Sequence, residues 1–178
     1  HLERLTKASR YFAYPFDPKN LRQKIEAECR ACDSHQDYRL RISLSKSGEI
    51  ELSRQILTPL SPSFCKAKLY LQEADLNQSF TYFKTTHRPH LSLGEQEKIY
   101  HNKSGELLET SIGNLVLKIA GKLYTPPINL GILPGIYRQY LLETGQVEEK
   151  VLTLTDLNHA EAIYGCNAVR GLYELEVI

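Results

Sequence analysis

The chain contains no methionine and no tryptophan, only four cysteines, and no long apolar run. A membrane-spanning helix needs about 20 consecutive apolar residues, so none is predicted. A charged-then-apolar secretory segment is also missing from the start. Neither sign of charge is in excess: 22 Lys and Arg against 21 Asp and Glu leave a net +1. That balance offers no basic footprint for nucleic acid or an anionic membrane. These absences lead us to expect a soluble, cytoplasmic protein with neither as a partner. The absence of methionine extends to residue 1, a His in what reads as the inside of a helix. The chain is therefore expected to be a fragment, or one domain of a longer protein.

The cysteines are Cys29, Cys32, Cys65 and Cys166. Cys29 and Cys32 form a C-x-x-C within a charged, helix-like stretch. A redox motif wants a strand before it and a helix after it, and a zinc site wants a second ligand pair. Neither is present, so reduced thiols and no metal site are expected. What is there is globular: 42% apolar and 24% charged residues are enough to build a core. A length of 178 residues suits one domain, or a large and a small lobe.

Residues Leu2, Leu5, Ala8 and Phe12 have helical spacing. Asp17 and Pro18 then read as the N-cap and first position of a second helix, running to about Cys32. Two strands follow, "YRLRISLS" and "IELSRQIL", and then a third, "CKAKLYLQ". From Asn77 the texture changes: an irregular segment to His90, and a short helix within "LSLGEQEKIYHNK". Two strands are expected between Ser104 and Pro127, and a glycine-proline loop enters a helix near Gly135. The remainder reads strand, helix, strand, turn, strand. This pattern predicts an α+β fold, with one lobe over residues 1–76 and a second over 77–178.

Three stretches carry chemistry. In "GILPGIYR", residues 131–138, two glycines and a proline lead into a helix whose free N–H groups could cradle an anion; a plain tight turn is the alternative. In "LLETSIGNL", residues 107–115, Glu109 sits among apolar neighbours. A buried carboxylate there needs a cation or donor; strand alternation could equally point it at solvent. In "FKTTHR", residues 83–88, Lys84 is either a solvated charge or a nucleophilic amine near Arg88. A lysine, a carboxylate and an anion loop are together what one kind of pyridoxal phosphate site requires. Arg39 and Arg41 alternate on one strand. They could offer guanidinium groups to a substrate carboxylate, or form a solvated face.

The chain resembles the fold-type IV, class IV pyridoxal phosphate enzymes, which include branched-chain and D-amino acid aminotransferases and 4-amino-4-deoxychorismate lyases. "HLERL" resembles the family's His-Leu-x-Arg-Leu helix, which implies a phosphate contact from Arg4. "FKTTHR" resembles its lysine motif, which implies a covalent cofactor link at Lys84. "LLETSIGNL" resembles its Glu-x-(Ser/Thr)-x-x-Asn segment, which makes Glu109 the partner of the pyridine nitrogen. "YTPPINLGILPGIYR" implies that the amides of Ile136 and Tyr137 hold phosphate and that Leu133 packs on the ring. In "IYGCNAVRG", Cys166 stands where a threonine-like residue is usual, so only Asn167 and Ala168 carry over as cofactor neighbours. The resemblance implies a small N-terminal α/β lobe, here without its first strands, and a larger β-barrel-like lobe with helices. It implies a homodimer as well. The Lys-Thr-Thr-x-Arg form is most similar to the lyase-like domain fused to an aminodeoxychorismate synthase component. The expected activity is elimination of pyruvate from 4-amino-4-deoxychorismate, a small-molecule substrate, to give p-aminobenzoate for folate synthesis. The alternatives are a class IV aminotransferase and a non-catalytic domain packed on a synthase.

Overall fold

Asp17 opens the second helix as expected: its side chain accepts from the backbone N–H of Lys19 at 2.9 Å, with Pro18 at the first helical position. The computed structural model in which this is seen describes residues 1–62, 65–72, 78–91, 94 and 96–178. Two compact units result, His1–Pro59 and Leu60–Ile178. The first holds helices α1 (Leu2–Tyr11) and α2 (Pro18–Arg30) and an antiparallel hairpin of β1 (Tyr38–Leu44) with β2 (Ile50–Ile56). Lys24 Nζ donates to the Ile50 carbonyl at 3.1 Å, and Arg54 donates to the Glu28 carbonyl at 3.0 Å, docking the hairpin on α2. The hairpin turn carries Gly48 at φ +88°, where a Cβ would stand 2.9 Å from Pro15.

The second unit contains β3 (Lys66–Leu71), α3 (Gln78–Tyr82), β4 (Glu97–His101), β5 (Leu107–Thr110), β6 (Asn114–Ile119), β7 (Lys122–Thr125), α4 (Ile136–Glu143), β8 (Glu148–Glu149), α5 (Leu154–Asn158), β9 (Ala162–Asn167) and β10 (Gly171–Val177). The strands run β5-β4-β3-β10-β9-β6-β7-β8, and β5 also pairs with β6. That last pairing closes six strands into a barrel, which leaves no free edge around the ring. Ala67, Ile99, Leu107, Leu115, Leu117 and Leu152 fill the core with no exposed surface. The mixed class with a barrel-like larger lobe is thus what the chain builds.

Three local readings change. The stretch expected to be a short helix, 91–103, contains β4, with residues 92, 93 and 95 outside the described set. Ile99 and Tyr100 are barrel staves, and pairing with β3 and β5 overrides the helical preference of the Glu-Gln-Glu-Lys run. The two strands expected between 104 and 127 are three, because the bend at 111–113 divides β5 from β6 and the turn at Ala120–Gly121 divides β6 from β7. The irregular segment before Lys84 contains α3. The division between units falls after Pro59, since β3 hydrogen-bonds in parallel with β4 and β10 of the larger sheet. The 76/77 boundary expected from sequence lies where residues 73–77 are outside the described set.

Candidate active site

All four residues of β5 are buried, so strand alternation offers Glu109 no solvent face. Its side chain is 3% exposed, and burial pushes the carboxyl up to about 7. Three groups oppose that rise: the Arg88 guanidinium first, then the Leu133 backbone N–H, then the charge of Lys84. One Arg88 nitrogen donates to both carboxylate oxygens, at 3.3 and 3.4 Å, and Leu133 N–H donates to Oε1 at 3.4 Å. These bonds are all long, so the carboxylate retains capacity for another donor. His90 Nε2 lies 3.9 Å from the same oxygen. Burial, with help from Arg88 and His87, holds the His90 imidazole down at about 4 and therefore neutral.

Glu109 and Asn114 face each other across a tight hairpin joining β5 to β6. Its bend is held from within: Thr110 Oγ1 donates to the Gly113 carbonyl and accepts from the Gly113 N–H, both at 3.1 Å. It is held from outside as well. Lys98 N–H donates to Ser111 Oγ at 3.0 Å, and a Cβ on Gly113 would lie 2.5 Å from the Cys166 carbonyl oxygen. Behind it, the Tyr173 hydroxyl donates to Glu97 Oε2 at 3.3 Å. Burial raises the Glu97 carboxyl, against hydrogen bonds from Ser111.

The glycine loop meets this hairpin. Gly131 takes the left-handed conformation, φ +82°, that ends a 3-10 turn over Ile128–Leu130. Gly135 caps α4 in an extended conformation, and a Cβ there would stand 2.0 Å from Asn114 Oδ1. Only glycine fits beneath that amide. The N–H groups of Ile136 and Tyr137 belong to the first turn of α4, where no intrahelical acceptor exists. Buried Arg138 ties the turn down by donating to the Pro126 carbonyl at 2.8 Å and pairing with Glu149.

Of the residues expected from sequence, Glu109, Leu133, Ile136 and Tyr137 come together here. Lys84 is exposed, with its charge felt at Glu109. Asn167 ends β9; its Nδ2 donates to the Ile112 carbonyl at 3.4 Å, and its Oδ1 accepts from Val169 and Arg170 N–H, both at 2.9 Å. Ala168 is exposed in that turn, and a Cβ on the following Gly171 would lie 3.4 Å from the Tyr137 hydroxyl. Arg4 is half-buried on α1, and Arg39 and Arg41 are exposed on β1, all in the first unit. A shallow groove on that hairpin is lined by Arg41, Ser43, Glu51, Leu52 and Ser53.

The profile of the class IV amino-transferase family matches residues 1–178. The chain belongs to that family. Among curated proteins it is 27% identical over 192 residues to the aminodeoxychorismate lyase of Saccharomyces cerevisiae, a match covering 78% of this chain and 51% of the yeast protein. The chain thus spans about half the length of that relative. A structure from Mesorhizobium loti, named as a candidate amino-acid aminotransferase, is 26% identical with a TM-score of 0.87, covering 100% of this chain and 90% of its own. The 4-amino-4-deoxychorismate lyase of Pseudomonas aeruginosa shares the fold at 20% identity and a TM-score of 0.69, covering 99% and 76%.

The family uses pyridoxal 5'-phosphate. The residues here fit it. A cation beside Glu109 would offset the burial that raises its carboxyl, and a first-turn amide pair behind a glycine suits a phosphate. Buried Arg88 Nε has no hydrogen-bond partner among the described residues, one more donor on the side chain that bonds Glu109. Sequence reasoning met Arg88 and Asn114 only as motif positions, Arg88 beside Lys84 and Asn114 at the end of the Glu-x-(Ser/Thr)-x-x-Asn segment, with no role for either, and did not point to His90. A signal existed for Asn114: five residues from Glu109 across a tight bend places the two opposite each other.

Proposed function

We propose that this chain carries the cofactor site of a pyridoxal phosphate-dependent 4-amino-4-deoxychorismate lyase, releasing pyruvate and p-aminobenzoate. The observation that carries the cofactor chemistry is the buried Glu109 carboxylate, with Arg88 and the Leu133 N–H on it and the glycine loop tied to the same hairpin. The 27% identity to the yeast lyase supports the lyase over its relatives. Bound, the cofactor supplies an electron sink for charge developing at the amine-bearing carbon. Glu109 would hold the ring nitrogen and keep its proton. Leu133 would lie against the ring, and the Ile136 and Tyr137 amides would take the phosphate. Asn167 and Ala168 would border the cofactor from the β9–β10 turn. Lys84 would anchor the cofactor covalently and then move the proton from the amine-bearing carbon. Loss of the enolpyruvyl ether leaves an aromatic ring, so the residues need chiefly to orient the groups and place one base. Family resemblance also supports a homodimer, to be read by light scattering.

A second reading is amino-group transfer, favoured by the Mesorhizobium loti structure at a TM-score of 0.87. The experiment mixes the purified chain with pyridoxal phosphate, reduces with borohydride, maps the modified peptide, and then supplies 4-amino-4-deoxychorismate. Label on Lys84 and pyruvate formed without a keto-acid acceptor is the expected result. Label on Lys84 with turnover only when an acceptor is added would move the assignment to a transferase. No label would overturn both.

A further inference from the structure

Leu133 is gripped at both ends of its backbone by the two arms of one hairpin. Its N–H donates to Glu109 Oε1 at 3.4 Å, from the β5 arm. Its carbonyl accepts from Asn114 Nδ2 at 2.8 Å, from the β6 arm. Asn114 is 3% exposed, so this bond forms away from competing water. The same amide also presses on the next part of the loop: its Oδ1 stands 2.0 Å from where a Gly135 Cβ would be. Asn114 therefore touches the residue that bonds the carboxylate and the residue that caps α4. The hairpin beneath is held at several points: Thr110 bonds Gly113 within the bend, Ser111 accepts from Lys98 on β4, and Gly113 packs on Cys166 of β9.

We infer that Asn114 is a positioning residue that locks the 131–135 loop to the Glu109 hairpin, so that the carboxylate and the first turn of α4 are held as one unit. A planar, aromatic, phosphorylated ligand spanning both would meet a fixed spacing instead of assembling it on binding. That consequence for the cofactor rests on the function proposed above; the lock itself does not. The amide is suited to the task. A carboxylate would repel the Leu133 carbonyl, and an aliphatic side chain would leave that carbonyl buried without a donor.

The test compares the parent chain with Asn114→Ala, with Gly135→Ala and with the double variant. Two readouts need no cofactor: hydrogen exchange of the Leu133 amide and the 13C titration of the Glu109 carboxyl. In Asn114→Ala, the Leu133 amide is expected to exchange about tenfold faster. The Glu109 midpoint is expected to rise by about 0.5 pH unit as the Leu133 N–H slackens. A third readout is pyridoxal phosphate affinity by absorbance, expected to weaken about tenfold. Gly135→Ala reaches the same contact from the other side and should move the same observables, even if Asn114→Ala does not fold. Adding it to Asn114→Ala should change little further, because the Cβ then has room. Leu133 exchange and Glu109 titration unchanged in either folded single variant, or full additivity in the double, would overturn the lock. If the parent takes up no cofactor while Leu133 and Glu109 respond as expected, the lock stands and the proposed function fails.

Discussion

The two units of this chain spend their apolar residues differently. In the first, α2 docks on a lone hairpin, and Ser9, Leu21 and Ile50 are the unit's buried residues. A two-stranded hairpin is marginal without such cover. In the second, the closed ring of strands and its surroundings bury Ala67, Ile99, Leu107, Leu115, Val116, Leu117 and Leu152 with no exposure at all. Titration follows the same line. In the first unit the perturbed groups are solvent-facing Glu3 and Arg54, moved mainly by neighbours on the surface. In the second, burial is the leading cause at His90, Glu97, Glu109, Cys166 and Tyr173, with the Cys166 thiol pushed up to about 12. A closed barrel removes water from the inner face of its strands, and β5, which carries Glu109, is buried on both faces; that is the condition under which a carboxyl can be tuned for chemistry.

The contrast can be broken most sharply at Gly165 on β9, where a Cβ would lie 2.4 Å from the Tyr173 ring. Gly165→Ala should destabilise the second unit by about 3 kcal/mol, because the ring is wedged in the core and has no free path of retreat. Urea unfolding followed by tyrosine fluorescence and by circular dichroism would show it. The next effect concerns pH. The Glu109 carboxyl is raised in the folded chain from 4.5 to about 7, so the folded state holds a proton that the unfolded state has lost. Its contribution therefore falls as pH rises from 4.5 through about 7, and Glu109→Gln should remove that slope. Above pH 7 the variant should exceed the parent in stability, by on the order of a few kcal/mol at most, less what Arg88 loses with its partner. Denaturation midpoints at a series of pH values test this.

In the first unit the corresponding glycine change should be milder. Gly48→Ala meets Pro15 at 2.9 Å and a φ of +88°, on an exposed turn that can shift. A loss of about 1–2 kcal/mol is expected, read by proteolysis of the 1–59 segment. The smallest effect is at His90, both of whose buried ring nitrogens have no hydrogen-bond partner among the described residues. Its folded value is lowered from 6.5 to about 4, so stability is lost as pH falls through that window, opposite in sign to Glu109. His90→Phe should flatten the acid limb and cost less than about 1 kcal/mol at pH 8, where the parent imidazole is neutral in both states. A His90→Phe chain with an unaltered acid limb would show that another group controls it.

Where the reading from sequence agreed with the structure, the determining forces were local. Asp17 and Pro18 set the start of α2 by capping and fixed φ, and both act within one turn. The alternation of Tyr38, Leu40 and Ile42 against Arg39 and Arg41 survives because β1 has one covered and one open face. The order of lysine, carboxylate and glycine loop was legible too, since each is a short string with its own chemistry. The failures came where neighbours distant in sequence decide. β4 reads as helix because its first residues are helix formers; only β3 and β5 on either side make it a stave. Glu109 could not be assigned to solvent or interior from alternation, because a strand closed into a barrel and covered outside has no wet side.

The sequence by itself determined the family, the order of lysine, carboxylate and glycine loop, and many of the local elements that carry them, because caps, turns and motif spacing act over a few residues. Only the tertiary structure decided that Arg88 and Leu133 share one carboxylate, that Asn114 fits over Gly135, and that Glu97 and Tyr173 stand behind the bend. Those pairings span from 21 to 76 residues of chain. They exist because ring closure between β5 and β6 brings together strands distant in sequence.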